Sequence, residues 1–291
     1  MPRVTAADIL GNPDYPAFSY GGYRGKTRDE VPGVAELKED MKILSAMGIK
    51  IIRTYTTQQF AQAENLLKAI RQLKDEDRGF EMYLMLGAWI ESKGAWGDTP
   101  DPTRGNLEGN TAEIEAAIRM ANAYPDIVKI IAVGNEAMVH WAVDYFVHPN
   151  VILKWVNHLQ ELKASGGLSA DVWITSSDNF ASWGGGDKSY HTEDLTALIG
   201  AVDFISLHTY PFQDTYYNPE FWGATTEEED LSETEKADAV MLRVKNYAES
   251  QYQSTRNYIE SLGMDKPIHI GETGWASNDS AQYGAAGSQA A

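Results

Sequence analysis

Two glutamates in this chain stand where an apolar run stops. Ile130-Ile131-Ala132-Val133-Gly134-Asn135-Glu136 begins as buried-strand material and ends on a carboxylate, and Pro267-Ile268-His269-Ile270-Gly271-Glu272-Thr273-Gly274-Trp275 repeats the pattern. A charged side chain at the end of a core run is costly unless a cleft opens there. Two carboxylates in one cleft can divide acid and base work when their surroundings pull their proton affinities apart. At a separation of roughly 5–5.5 Å such a pair suits displacement with retention at a sugar carbon, whereas a wider gap admits water and gives inversion. Taken alone, each acid could simply favour the N-terminus of a following helix. Both together, each preceded by glycine near its strand end, point to a site.

The remaining polar and aromatic residues at strand ends are Tyr23 and Arg24, Arg53 and Tyr55, Trp89, Asn135, Ser177 and Asn179, His208 and Tyr210, and Trp275. Sugars require this mixture, since their flat CH faces stack on rings while their hydroxyls need donors and acceptors. Arg53 beside one carboxylate would hold it ionised, because a neighbouring positive charge favours the charged form. Tyr55 or Tyr210 could hydrogen-bond to the same group. Arg53 and His208 also have ordinary readings, as a structural ion-pair partner and a satisfied core histidine. No HExxH or other compact His/Asp cluster appears, so a catalytic metal is not expected.

The elements that must position these residues alternate. Strand-like runs lie at Ala17–Tyr20, Ile49–Tyr55, Glu81–Trp89, Ile130–Glu136, Asp171–Ser177, Val202–Tyr210 and Pro267–Glu272. Between them, apolar spacing predicts helices over Val34–Met47, Gln58–Leu73, Thr111–Ala123, Val151–Ser165 and Lys236–Leu262. Asn110 or Thr111 is the expected N-cap of the third helix, and Lys93–Gly109 and Pro211–Glu235 read as loops. Gly184-Gly185-Gly186 lacks the spacing of a phosphate cradle and reads as part of a flexible loop, Asp178–Lys188. Glu227-Glu228-Glu229-Asp230 reads as a solvated face or helix start.

Alternation of strand and helix predicts a parallel sheet, and near-continuous apolar strands predict that both its faces are covered. The size suits an α/β protein of the (β/α)8 barrel type better than an open doubly wound sheet. The expectation is one catalytic domain over residues 1–291, with an insertion after the sixth strand at about 211–262. Only 16 residues follow Trp275, and Gly284-Ala285-Ala286-Gly287 is poor strand material. The eighth β/α unit is therefore missing or incomplete, and an open seam between the first and seventh strands is expected.

With 24 basic and 42 acidic residues, the net charge of −18 argues against nucleic-acid or anionic-membrane partners and suits a neutral substrate. The absence of cysteine rules out disulfides and thiolate metal sites. No apolar run approaches membrane-spanning length.

At this point the motifs resemble those of glycoside hydrolase family 17, the β-1,3-glucanases and β-1,3-glucan transglycosylases. Val133-Gly134-Asn135-Glu136 and Glu272-Thr273-Gly274-Trp275 look like its two signatures. Tyr20-Gly21-Gly22-Tyr23-Arg24, Ile52-Arg53-Thr54-Tyr55, and Asp203-Phe204-Ile205 leading to Tyr210-Pro211-Phe212 resemble its patterns on strands one, two and six. The resemblance runs from about Ala17 to Trp275 and implies a retaining barrel hydrolase. By that resemblance Glu136 is the acid/base, Glu272 the nucleophile, and Asn135 a contact to the sugar 2-hydroxyl. Tyr55 and Tyr210 would line the subsite at the cleaved bond. Tyr23, Arg53, Trp89, Asn179, His208 and Trp275 complete the substrate-binding set. His208 departs from the family, where plant members often carry asparagine. Laminarin-degrading bacterial members look most similar.

The expected partner is a β-glucan oligo- or polysaccharide, with no cofactor, acted on by a monomer that is secreted, periplasmic or at the cell surface. Two alternatives use the same residues: a β-1,3-glucan transglycosylase, in which a sugar replaces water, and a non-catalytic glucan-binding protein. A pure binder has no need of two carboxylates.

Overall fold

The computed structural model describes residues 4–25, 27–59 and 62–275. The chain opens with the short helix α1 (Ala6–Ile9), then β1 (Ala17–Ser19), α2 (Val34–Ala46), β2 (Ile51–Arg53), α3 (Gln62–Glu76) and β3 (Tyr83–Ala88). A hairpin of β4 (Ser92–Lys93) and β5 (Asp101–Gly105) precedes α4 (Leu107–Ala123), β6 (Val128–Asn135), α5 (Pro149–Ser165) and β7 (Trp173–Asn179). Next come α6 (Glu193–Ala201), β8 (Ile205–His208), the short helices α7 (Pro211–Thr215) and α8 (Pro219–Trp222), α9 (Glu233–Ser261) and β9 (Ile268–Glu272).

Seven strands pair in the order β1-β2-β3-β6-β7-β8-β9, every pair parallel. They are the seven runs read from the sequence, and among the described residues they form a nearly closed barrel of the (β/α)8 type with seven staves. Among the described residues β1 and β9 do not pair, and Phe18 and Ile270 beside that seam are 44% and 46% exposed. Residues 276–291, with the glycine- and alanine-rich run noted above, lie outside the described residues.

Alternation along the strands builds two layers. Inward-facing Met85, Ile130, Ala132 and Phe204 pack with Ala6 of α1, which closes the end where the strands begin. Outward-facing Leu84, Leu86, Ile131, Val133 and Ile174 meet apolar stripes on the helices, such as Leu66, Leu67 and Ile70 of α3 and Ile152, Val156 and Leu159 of α5. Filling the lower barrel with hydrocarbon leaves the strand C-termini as the polar mouth, where such folds carry their sites. No helix among the described residues is long and apolar enough to cross a membrane.

Four local expectations need correction. Helix α4 begins at Leu107, capped by Asn106, whose Oδ1 accepts from the Gly109 N–H at 3.2 Å; Asn110 and Thr111 lie inside it. The expected loop before it contains the β4–β5 hairpin. The stretch after β7 is a packed π-helical turn, Ala181–Gly185, not a flexible loop: Trp183 is fully buried and its Nε1 donates to Ser206 O at 3.1 Å. The expected loop Pro211–Glu235 contains the short helices α7 and α8 and the start of α9. The acidic run within it is a largely exposed helix start, as expected, with Glu228 held by Arg243.

Candidate active site

Both acidic motifs owe their geometry to a β-bulge. Along β6 the register with β7 passes from Ala132↔Thr175 to Asn135↔Ser177, so one extra residue is inserted, with Gly134 at φ +84°. Along β9 it passes from Leu207↔Ile270 to His208↔Glu272, which makes Gly271 the extra residue. A bulge re-aims the side chain that follows it, and here it turns a carboxylate into the mouth. Glu136 itself sits at φ +46°, a conformation costing a non-glycine residue on the order of 1–3 kcal/mol. It is held by its N–H to Ser177 O at 2.9 Å and by Met138 N–H to Asp178 Oδ2 at 2.7 Å.

At Gly271 the constraint is space. A Cβ there would lie 2.1 Å from Ser206 Oγ, which is hydrogen-bonded to Ser177 Oγ at 2.7 Å. Gly271→Ala is expected to cost about 1–3 kcal/mol of stability and to lower kcat/KM at least tenfold by displacing Glu272. Adding Ser206→Ala should restore much of both in thermal melts and steady-state rates; no recovery would show that crowding at Ser206 is not the cause.

Glu272 is nearly buried. Arg53 at the end of β2 donates Nη1 to its Oε1, and Tyr210 donates to its Oε2 at 2.8 Å. Burial pushes the carboxyl up, but His208, Arg53, Tyr55 and Tyr210 together outweigh it and leave it below the ordinary carboxylate range. Arg53 Nη2 also donates to Asn135 Oδ1 at 2.6 Å, and its guanidinium lies 4.8 Å from the Tyr55 ring centroid. The Tyr55 hydroxyl is pushed up to about 12 by burial and then by the Glu272 charge.

Glu136 faces the same space. His208 Nδ1 lies 3.1 Å from Glu136 Oε1 and 3.4 Å from Glu272 Oε2. One ligand atom each from Glu136, His208 and Glu272 fall within 4.8 Å of one another. This is the one group of three or more such side chains among the described residues close enough to ligate a cation, but Arg53 already serves as counter-ion to Glu272. Burial depresses His208, so its ring is neutral near pH 7. The tautomer with its proton on Nδ1 donates to Glu136. Behind the acid/base loop, fully buried Asp178 accepts from the Met138 and Asn179 N–H groups, and burial raises its carboxyl to about 7.

A cavity of about 940 Å³ adjoins the carboxylates, lined among others by Tyr23, Tyr55, Trp89, Glu91, Trp96 and Asn135. Its wall is organised by buried Glu113 of α4, which accepts from Thr57 N at 2.7 Å, Gln58 N at 3.2 Å and Trp89 N at 3.1 Å, tying together the loops after β2 and β3.

Of the residues proposed from sequence, Arg53, Tyr55, Asn135, Glu136, His208, Tyr210 and Glu272 converge, and Tyr23 and Trp89 line the adjoining cavity. Trp275 stacks on Phe212 at 4.7 Å and meets Trp222 edge-on at 5.0 Å, in an aromatic cluster beside the nucleophile loop. Asn179 accepts from Ala181 N–H at 3.0 Å, and so caps the turn after β7. Arg24 pairs with Asp40 at 2.6 Å on the surface, and Ser177 turns inward to Ser206. Sequence reading missed Glu91, Trp96, Glu113, Tyr145 and Asp178. Glu113 left a trace, standing one residue before Ile114 on the apolar face of its helix.

The BtgE/BtgC glycoside hydrolase domain profile matches residues 17–291. The crystal structure of an endo-laminarinase from Formosa Hel1_33_131 is 61% identical, covers 98% of this chain and 72% of its own, and superposes with a TM-score of 0.93. A structure of fungal β-1,4-galactanases aligns over 93% of this chain and 76% of that one at 16% identity and a TM-score of 0.49, a likeness too loose to carry weight. Nothing among curated proteins matches.

Proposed function

This chain belongs to the BtgE/BtgC glycoside hydrolase family, and from that premise we propose that it hydrolyses internal β-1,3-glucosidic bonds of laminarin-like glucan with retention, as a family 17-type enzyme. The observation that carries the retaining mechanism is the approach of Glu136 and Glu272, whose nearest ligand oxygens lie within 4.8 Å. So close an approach of the two carboxylates fits the short separation of a retaining pair better than the wider gap of an inverting one. The endo-laminarinase likeness supports the choice of substrate and internal cleavage.

In the first step Glu272 attacks the anomeric carbon, and the bond to the glycosidic oxygen breaks as Glu136 gives that oxygen its proton. The products are a glycosyl ester on Glu272 and a free sugar hydroxyl. In the second step Glu136 takes a proton from water, the water oxygen bonds to the anomeric carbon, and the Glu272 carboxylate leaves. The Arg53 and Tyr210 hydrogen bonds that keep Glu272 ionised before attack also make it a good leaving group afterwards. Because Asn135 Oδ1 is engaged by Arg53, its Nδ2 is the atom left to donate to the sugar 2-hydroxyl. The proposed site of action is outside the cytoplasmic membrane, which a glucan polymer does not cross.

Glu136→Ala tests the acid/base assignment. Turnover of laminarin, whose leaving group needs a proton, should fall about 10²–10⁴-fold. A dinitrophenyl laminaribioside, whose leaving group needs none, should still release dinitrophenol in a burst. Equal loss on both substrates would refute the role. Product analysis at high oligosaccharide concentration separates the two fates of the intermediate: shortened chains mark hydrolysis, and elongated ones reassign the enzyme to transfer.

A further inference from the structure

We propose that Trp96, on the turn of the β4–β5 hairpin, is a stacking platform for a glucosyl unit remote from the cleaved bond, so that the enzyme's preference for longer chains depends on it. This rests on the β-glucan reading above.

Trp96 combines two features that ordinary surface tryptophans lack. It is 61% exposed, yet its backbone is held at φ +65°, a conformation uncommon for a bulky residue. Three tethers keep it there. Its N–H donates to Asp144 O at 2.8 Å, its indole Nε1 donates to Glu91 Oε2 at 3.1 Å, and its ring stacks on Tyr145 at 5.2 Å with 29° between planes. Glu91 Oε2 also accepts from Trp89 Nε1 at 3.2 Å, while Asn106 Nδ2 fixes its Oε1 at 2.9 Å. Trp89 in turn packs on Tyr145 with centroids 5.0 Å apart.

Two indoles are thus set by one carboxylate and one tyrosine ring. Folding alone gives no reason to hold an exposed ring in a costly conformation. A pyranose face does, because a rigid aromatic offers apolar area with little ordering on binding. The occupant follows from continuity: Trp96 lines the same cavity as Tyr55 and Asn135, which belong to the catalytic centre. A chain bound there runs from the carboxylates past Trp89 to Trp96. The cavity wall adds Gln58, Gln59 and Glu108 as partners for hydroxyls.

The test compares laminarihexaose with a nitrophenyl laminaribioside in unaltered and Trp96→Ala enzyme. The ratio of kcat/KM for long over short substrate should fall roughly tenfold, mainly through KM on the hexaose, and Trp96→Phe should recover most of it. Calorimetric titration of laminarihexaose into Glu272→Ala protein should show the same weakening when Trp96→Ala is added. An unchanged ratio together with unchanged hexaose affinity overturns the proposal, as does a proportionate loss on both substrates. Failure of the unaltered enzyme to act on laminarin would instead strike the β-glucan reading, and this subsite with it.

Discussion

Glu272→Ala is expected to lower kcat/KM on laminarin by at least about 10⁴-fold, the scale seen when a covalent nucleophile is lost, while the protein stays folded. Truncation leaves the buried Arg53 guanidinium without its counter-charge, at a cost of about 3–5 kcal/mol, with the Asn135 hydrogen bond as its remaining partner. Azide should restore turnover of an activated aryl glycoside by entering the volume that the carboxylate vacated. It then attacks the face opposite the leaving group, and the product is the α-glycosyl azide. With Glu136→Ala the order reverses: Glu272 forms the ester first, azide displaces it from the other face, and the β-azide results. Nuclear magnetic resonance of the two products assigns both roles together. Azides of the opposite hand would exchange the assignments, and wild-type activity in Glu272→Ala would remove it from the mechanism.

The two carboxylates were legible because their placement breaks a rule that core strands otherwise keep. Glycine before an acid was part of that signal, and the structure supplies its cause: Gly134 and Gly271 sit in bulges that turn the next side chains inward. The five inner staves were equally visible, since a strand covered on both faces must be apolar along its length, whereas β1 and β9 at the seam are partly exposed. Asp178 and Glu113 were hidden for the converse reason. Their partners are mainly backbone N–H groups, at Met138 and Asn179 for one and at Thr57, Gln58 and Trp89 for the other. Every residue but proline carries such a donor, so no residue type announces the contact. Trp96 was hidden because its platform depends on Glu91 and Tyr145, and Tyr145 arrives from the loop after a different strand.

Arg53→Met should produce the largest combined loss of stability and activity. The guanidinium is buried to 4% exposure of its side chain, and Glu272 to 8%. Removing one partner of such a pair leaves a charge without compensation and costs about 3–5 kcal/mol, or roughly 10 °C in the melting temperature of a protein of this size. The sign of its pH dependence follows from Glu272. In the unaltered protein that carboxyl lies below its ordinary range. Its ionised form therefore contributes stability above the unfolded-state pKa, and that contribution is lost as pH falls through the folded value. Removing Arg53 takes away one of the groups that hold the carboxyl down, so its folded value rises. The variant should then lose less stability than the wild type on acidification through that range. The acid limb of kcat/KM should move upward in step, because a protonated Glu272 cannot attack. Arg53→Lys keeps a charge but not the two-pronged grip on Glu272 and Asn135, so its activity should fall between the two. Adding Glu272→Gln to Arg53→Met should recover stability but not activity, since the uncompensated charge goes while the nucleophile goes with it. Denaturant melts from pH 4 to pH 8 on the four proteins measure this. Parallel pH profiles for wild type and Arg53→Met would show that the ion pair does not set the charge state of the nucleophile.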